Sequence, residues 1–170
     1  MITLIVLFLL LGAFILYFRL APQMGGGVKG KRLEKITASP NFKNNFFQNP
    51  VITTMDIPSG KVFKDFFSKG LDRIPDKPIE TLPINTGLYN QADNNEVIIT
   101  WLGHSTLLIK TRGITLLTDP VFSDRASMTT FFGPKKFDYT NDYKLEDLPS
   151  IDIVIISHDH YDHLDYRAIQ

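Results

Sequence analysis

Three of the chain's four histidines fall in one short stretch, Ser157-His158-Asp159-His160-Tyr161-Asp162-His163-Leu164-Asp165. In extended backbone, residues two apart point to the same side, so His158 and His160 can converge on one ion. Beyond them the chain must turn, which lets the adjacent Asp162 and His163 aim at a second ion nearby. Neutral imidazole and carboxylate suit zinc, and manganese or iron accept the same donors. Two ions about 3.5–4 Å apart clamp an attacking hydroxide and the oxygens of an in-line displacement. Asp162 is the candidate catalytic carboxylate, placed to orient that hydroxide. Asp165 fits the N-cap of a following helix, and Asp159 reads equally as a solvated or a supporting carboxylate. The chain has no cysteine, so any metal site must be built from His, Asp or Glu.

Such a cluster needs a rigid base. Ile151-Asp152-Ile153-Val154-Ile155-Ile156 runs directly into it and is almost continuously apolar after its Asp. That pattern predicts a strand covered on both faces in an α/β layer structure, with the histidines at its carboxyl end, where such sheets hold ligands. Upstream, Val97–Leu102, Thr106–Lys110 and Ile114–Thr118 are short, β-branched and separated by turn signals, and read as strands. Arg112-Gly113 makes a tight link between the second and third, with Gly113 free to take positive φ. Leu164–Gln170 reads as the start of a helix. Between residues 40 and 95, Pro40, Pro50, Pro58, Pro75, Pro78 and Pro83 forbid long helices or central strands across most of the stretch. One short helix fits there, capped by Ser59, ended by Gly70, with Val62, Phe63, Phe66 and Phe67 on one face.

The N-terminus has a different character. From Ile2 to Phe18 there is no charged residue, and apolar side chains surround the whole helix. At ~1.5 Å per residue this segment reaches about 26 Å, close to the ~30 Å hydrocarbon core, with Leu20 and Ala21 extending it. An uncleaved single-span anchor over 1–21 is preferred to a buried core helix. It is also preferred to a cleaved signal peptide, because no Lys or Arg precedes the apolar run. Arg19, Lys29, Lys31, Arg32 and Lys35 follow it, so the positive-inside rule predicts a membrane protein with its main domain on the cytoplasmic face. Gly25-Gly26-Gly27 reads as a linker, and residues 22–95 as linker and proline-rich lead-in to a domain over 96–170. The 18 Lys+Arg balance the 18 Asp+Glu, which leaves no basic track for nucleic acid.

Beyond chemistry and spacing, His158-Asp159-His160-Tyr161-Asp162-His163 is similar to the His-x-His-x-Asp-His signature of the metallo-β-lactamase fold. The likeness extends through Trp101-Leu102-Gly103-His104-Ser105-Thr106, the run from Leu117 to Ser127, Gly133-Pro134-Lys135-Lys136-Phe137, Leu148-Pro149-Ser150-Ile151-Asp152 and His163-Leu164-Asp165-Tyr166. Together these resemble the branch containing the N-acylphosphatidylethanolamine-hydrolysing phospholipase D and its bacterial relatives. The resemblance covers residues 96–170 closely and 80–95 loosely.

The resemblance implies the N-terminal half of a four-layer αββα sandwich and a site with two divalent ions, zinc by expectation. His158 and His160 would hold the first and Asp162 and His163 the second. Asp119, at the end of the third strand, reads as a supporting carboxylate or a turn former before Pro120. His104 reads as a residue near the pocket or a structural hydrogen bonder, and Lys135 and Lys136 as a solvated loop pair or phosphate contacts. Complete members take a further His, a bridging Asp and a final His from their second half, and no His follows His163 here. The expectation is therefore a membrane-tethered metal-dependent hydrolase, a phosphodiesterase acting on phospholipid-like substrates, of which these residues are an inactive fragment. A sugar-phosphate lactonase of the same fold and a non-catalytic anchored remnant are the alternatives.

Overall fold

The structure is a computed structural model and describes residues 2–52, 73–129 and 131–170, with Gly60, Val62, Lys64 and Ser68 between them. It divides into two compact units, Met1–Arg73 and Ile74–Gln170. The helix expected between Ser59 and Gly70 lies outside the described residues.

In the first unit, α1 (Ile2–Leu20) is apolar on every side and buries none of its residues. By length and composition it is long enough to cross a membrane. Its last turn carries Arg19, and Pro22–Met24 follow as one 3₁₀ turn. A second helix, α2, spans Lys31–Thr37. A hairpin then pairs β1 (Phe42–Lys43) with β2 (Phe46–Phe47). Asn44 and Asn45 make its turn with φ of 55° and 66°, the left-handed pair that a two-residue hairpin link needs and that Asn tolerates. The Phe42 and Phe47 rings meet edge to face at 5.2 Å.

The second unit is built on one sheet. Its strands are β3 (Val97–Gly103), β4 (Thr106–Thr111), β5 (Ile114–Thr118) and β6 (Ile153–Ile155), in that spatial order. The first two pairings are antiparallel and β5–β6 is parallel. Three strands, β3, β5 and β6, therefore deliver their carboxyl ends to the same rim. Arg112 and Gly113 join β4 to β5 with φ of 47° and 76°, the twist that a tight hairpin between right-handed strands requires.

Alternation sorts the sheet into two faces. On one, Leu102, Leu108 and Leu117 form the core with Tyr89, while Ile84, Phe122, Tyr143, Leu148 and Ile151 pack around them. Tyr89 comes from α3 (Thr86–Gln91), whose N-cap Asn85 accepts from the Gly87 amide at 3.1 Å. Its hydroxyl hydrogen-bonds Thr100 Oγ1, which satisfies the polar tip of a buried ring.

On the other face, Val97, Ile99 and Trp101 of β3 are exposed, and Ile99 is in register with Ile109, Leu116 and Ile153 across the sheet. Here the structure departs from the sequence reading. Ile153, Val154 and Ile155 are 44–46% exposed, not covered on both faces. β6 pairs only with β5 and stands at the sheet edge, so among the described residues one side of it has no strand partner. Its start is nonetheless pinned: Asp152 accepts from the Thr115 amide at 2.7 Å and donates its own amide to Thr115 O at 2.9 Å.

Between β5 and β6 the chain makes a long excursion that carries one wall of a cleft. Ile79 bridges Tyr139 in parallel, the Thr81 amide donates to Thr140 Oγ1 at 2.9 Å, and the Tyr143 hydroxyl donates to Leu82 O at 2.8 Å. These bonds lash the proline-rich lead-in to residues 139–143 without a regular strand.

Candidate metal centre

Each strand ending at the shared rim contributes one part of the site. His104 follows β3, Asp119 follows β5, and the Ser157–His163 turn follows β6. The three turns are stitched together by polar contacts. Trp101 Nε1 donates to His104 O at 2.9 Å, Thr106 Oγ1 to Asp119 O at 2.8 Å, Thr118 Oγ1 to Ser105 O at 3.1 Å, and the Asp119 amide to Ile155 O at 2.8 Å. His104 and Asp119 take φ of 45° and 40°, a region that costs a non-glycine residue energy and recurs where a scaffold fixes functional side chains. Gly103, at φ 111°, precedes His104, and a Cβ there would lie 3.1 Å from the Tyr139 hydroxyl. Beyond β6 the chain reverses sharply: the amides of His163 and Leu164 both donate to His160 O, at 2.9 and 2.8 Å.

That reversal gathers the imidazoles. His158 and His160 stack edge to face with centroids 4.6 Å apart, and His158 and His163 lie 4.0 Å apart. The His104 ring sits 5.1 Å from His163. Asp162 Oδ2 lies between two ring nitrogens, 3.0 Å from His104 Nε2 and 3.8 Å from His163 Nε2. One donor atom each from His104, Asp162 and His163 fall within 4.8 Å of one another. Imidazole nitrogens and a carboxylate oxygen clustered this way are the donor set of a zinc-like divalent ion, with no thiolate required. The residues present fit such a group.

Asp119 lies beneath the cluster and is 7% exposed. Its Oδ1 accepts from the Ser157 amide at 2.7 Å, and its Oδ2 accepts from the Ser157 hydroxyl at 2.8 Å and from His163 Nδ1 at 3.0 Å. Burial alone would push this carboxyl up. Hydrogen bonds from His163 and from Ser157, with the attraction of His163, outweigh it and hold the group below its ordinary value. A carboxylate behind a ligating His fixes the ring and leaves Nε2 facing outward.

Two residues matter more than their sequence context signalled. Ser157 was visible only as the residue before the cluster, yet it contacts Asp119, His158 and His163. Asp165 caps α4 (Tyr166–Ile169) through the Arg167 amide at 3.1 Å. It also accepts from the Phe122 amide at 3.1 Å and from the Ser123 amide and hydroxyl at 2.8 and 2.9 Å. It is 0% exposed, and it ties the His158–His163 turn to the loop after β5. Asp159 is exposed. Lys136 is held by Asp142 at 2.7 Å and Asp124 at 3.2 Å. Partial burial would lower its pKa, but the two carboxylates raise it. Lys135 pairs loosely with Asp138 at 3.6 Å.

A cleft of about 1080 Å³ opens beside the cluster. Ile79, Leu82, Ile99, Trp101 and Phe137 supply apolar wall, and His104 and Asp162 also line it.

Residues 98–170 match the beta-lactamase superfamily domain. Over 91 residues the chain is 46% identical to N-acyl-phosphatidylethanolamine-hydrolyzing phospholipase D 1 of Caenorhabditis elegans, covering 53% of this chain and 25% of that one. It is 35% identical over 95 residues to a mitochondrial protein of the same name from Saccharomyces cerevisiae, covering 55% of this chain and 20% of the relative. A metal-dependent hydrolase of Saccharolobus solfataricus is 34% identical over 64 residues, 38% of this chain and 23% of that protein. The chain thus spans about a quarter of the length of these curated relatives.

Proposed function

We propose that the chain, whose residues 98–170 match the beta-lactamase superfamily domain, carries the N-terminal ligand set of a metal-dependent phosphodiesterase acting on phospholipid-like substrates. The observation that carries this reading is the convergence of His104, Asp162 and His163, with His158 and His160 stacked alongside. His158 and His160 would hold one divalent ion and Asp162 and His163 a second, zinc being the expected metal. Divalent ions in such a site lower the pKa of coordinated water to near 7 and neutralise charge developing on a phosphoryl group. Asp162 orients the nucleophile and Asp119 holds the His163 ring. His104, 3.0 Å from Asp162, fixes the carboxylate from the opposite side.

A lipid substrate is supported by the largely apolar cleft that His104 and Asp162 help to line, and by α1, which is apolar enough for a bilayer. In this proposal residues 1–21 anchor the chain, 22–95 lead in, and 96–170 form the first half of a four-layer αββα domain on the cytoplasmic face. Arg19, Lys29, Lys31, Arg32 and Lys35 support that orientation.

Zinc titration of the chain, followed by calorimetry, tests the centre. Binding is expected, and H158A and H163A should each remove most of it. No binding, or binding unaffected by both substitutions, would leave the remnant reading. An N-acyl phospholipid, a simple phosphodiester and a sugar-phosphate lactone, offered in parallel to the protein carrying the rest of its domain, separate the substrates. Turnover of the lactone alone would sink the lipid assignment.

A further inference from the structure

The hydrogen bonds beneath the histidines have only one consistent arrangement of protons. Asp119 is a carboxylate at neutral pH and can only accept. Its Oδ2 lies 2.8 Å from Ser157 Oγ, and two oxygens that close need a proton between them. The Ser157 hydroxyl has one proton, and this contact uses it. Ser157 Oγ also lies 3.0 Å from His158 Nδ1. With its proton committed to Asp119, Oγ can take part there only as acceptor, so His158 Nδ1 must carry the hydrogen. His163 reaches the same state directly, since its Nδ1 lies 3.0 Å from Asp119 Oδ2.

We propose that Ser157 is a positioning residue: its hydroxyl relays the Asp119 carboxylate to His158, so that one buried acid sets the tautomer of two rings and turns the lone pair of each Nε2 outward. The groups beneath the histidines then act in order. Asp119 acts on His163 by contact and on His158 through one hydroxyl, while the Ser157 amide, donating to Asp119 Oδ1 at 2.7 Å, locks the acid's own orientation. The use of those outward nitrogens rests on the metal-dependent function proposed above, but the tautomers do not.

The two can be separated experimentally. Long-range ¹H–¹⁵N spectra of the metal-free chain in detergent micelles, at a pH where the imidazoles are neutral, report which nitrogen of each ring is protonated. His158 and His163 are expected as Nδ1–H forms. In S157A the His158 signal should move toward the Nε2–H form that free imidazole side chains prefer, while His163 stays unchanged. S157T and S157V, alike in volume and differing in the hydroxyl, control for packing: the first should keep the wild-type tautomer of His158 and the second should lose it. Zinc affinity should fall about 10–100-fold in S157A and S157V and be retained in S157T. An Nε2–H form of His158 in the wild type, or equal His158 tautomers in S157T and S157V, would overturn the relay. A tautomer switch without zinc binding in any variant would uphold the relay and refute the metal function.

Discussion

Asp165→Ala is the sharpest test of how the site is held. The Asp165 carboxylate is fully buried and receives four donors: the amides of Phe122, Ser123 and Arg167, and the Ser123 hydroxyl. Truncation lets the Ser123 hydroxyl rotate, and the Arg167 amide, in the exposed first turn of α4, can turn to water. The Phe122 and Ser123 amides cannot follow. Each orphan costs about 1–3 kcal/mol, so the loss for the two should be about 2–6 kcal/mol. Ser123→Ala removes one charge-assisted bond and leaves the rest intact, so about 1–2 kcal/mol is expected. For a domain the size of the second unit, each kcal/mol shifts Tm by about 4–8 °C. Urea unfolding followed by far-UV circular dichroism and by the fluorescence of Trp101 would measure both variants. A D165A chain within about 1 kcal/mol of wild type, judged against that orphan cost, would refute the claim that this carboxylate ties the His158–His163 turn to the loop after β5. So would an S123A loss as large as that of D165A.

Other expectations follow from the same geometry. Asp119 titrates lower in the folded chain than unfolded, so its stabilisation is complete above the unfolded carboxyl value and disappears as pH falls through the lowered one. Acid unfolding should therefore be less steep in D119N, and an unchanged acid limb would contradict the assigned bonds. Gly103→Ala, at φ 111° with Tyr139 Oη 3.1 Å from the new Cβ, should cost about 1–3 kcal/mol in urea unfolding. His104→Ala should weaken zinc binding in calorimetry by about tenfold, in the range of ligand-orienting residues. Equal affinity would remove His104 from the site.

The legible parts of the molecule were those set by neighbours in sequence. Arg112-Gly113 announces its turn because only local backbone chemistry decides it, and the strands around it show their alternation over five to seven residues. The density of histidines after an apolar run marks the rim in the sequence itself. Long-range roles were hidden. Nothing near Asp165 in sequence reveals that Phe122 and Ser123 will lie against it, and Ser157 has no neighbouring signal for a contact with Asp119. The hairpin at Phe42–Phe47 was missed because two-residue strands offer no period to read, though Asn44-Asn45 carries its turn chemistry. The apolarity of β6 was read as burial, but a strand's composition does not say which layers lie over it.

All the site residues lie at one end of the strands, which leaves the far end chemically idle. Arg112, at the tip of the β4–β5 link, is separated from Asp119 by the length of β5, about 16 Å at ~3.3 Å per residue. The chain contains no cysteine, so R112C would give a single attachment point for a spin label or fluorophore. A probe fixed there could follow occupancy of the histidine rim from across the sheet without touching it.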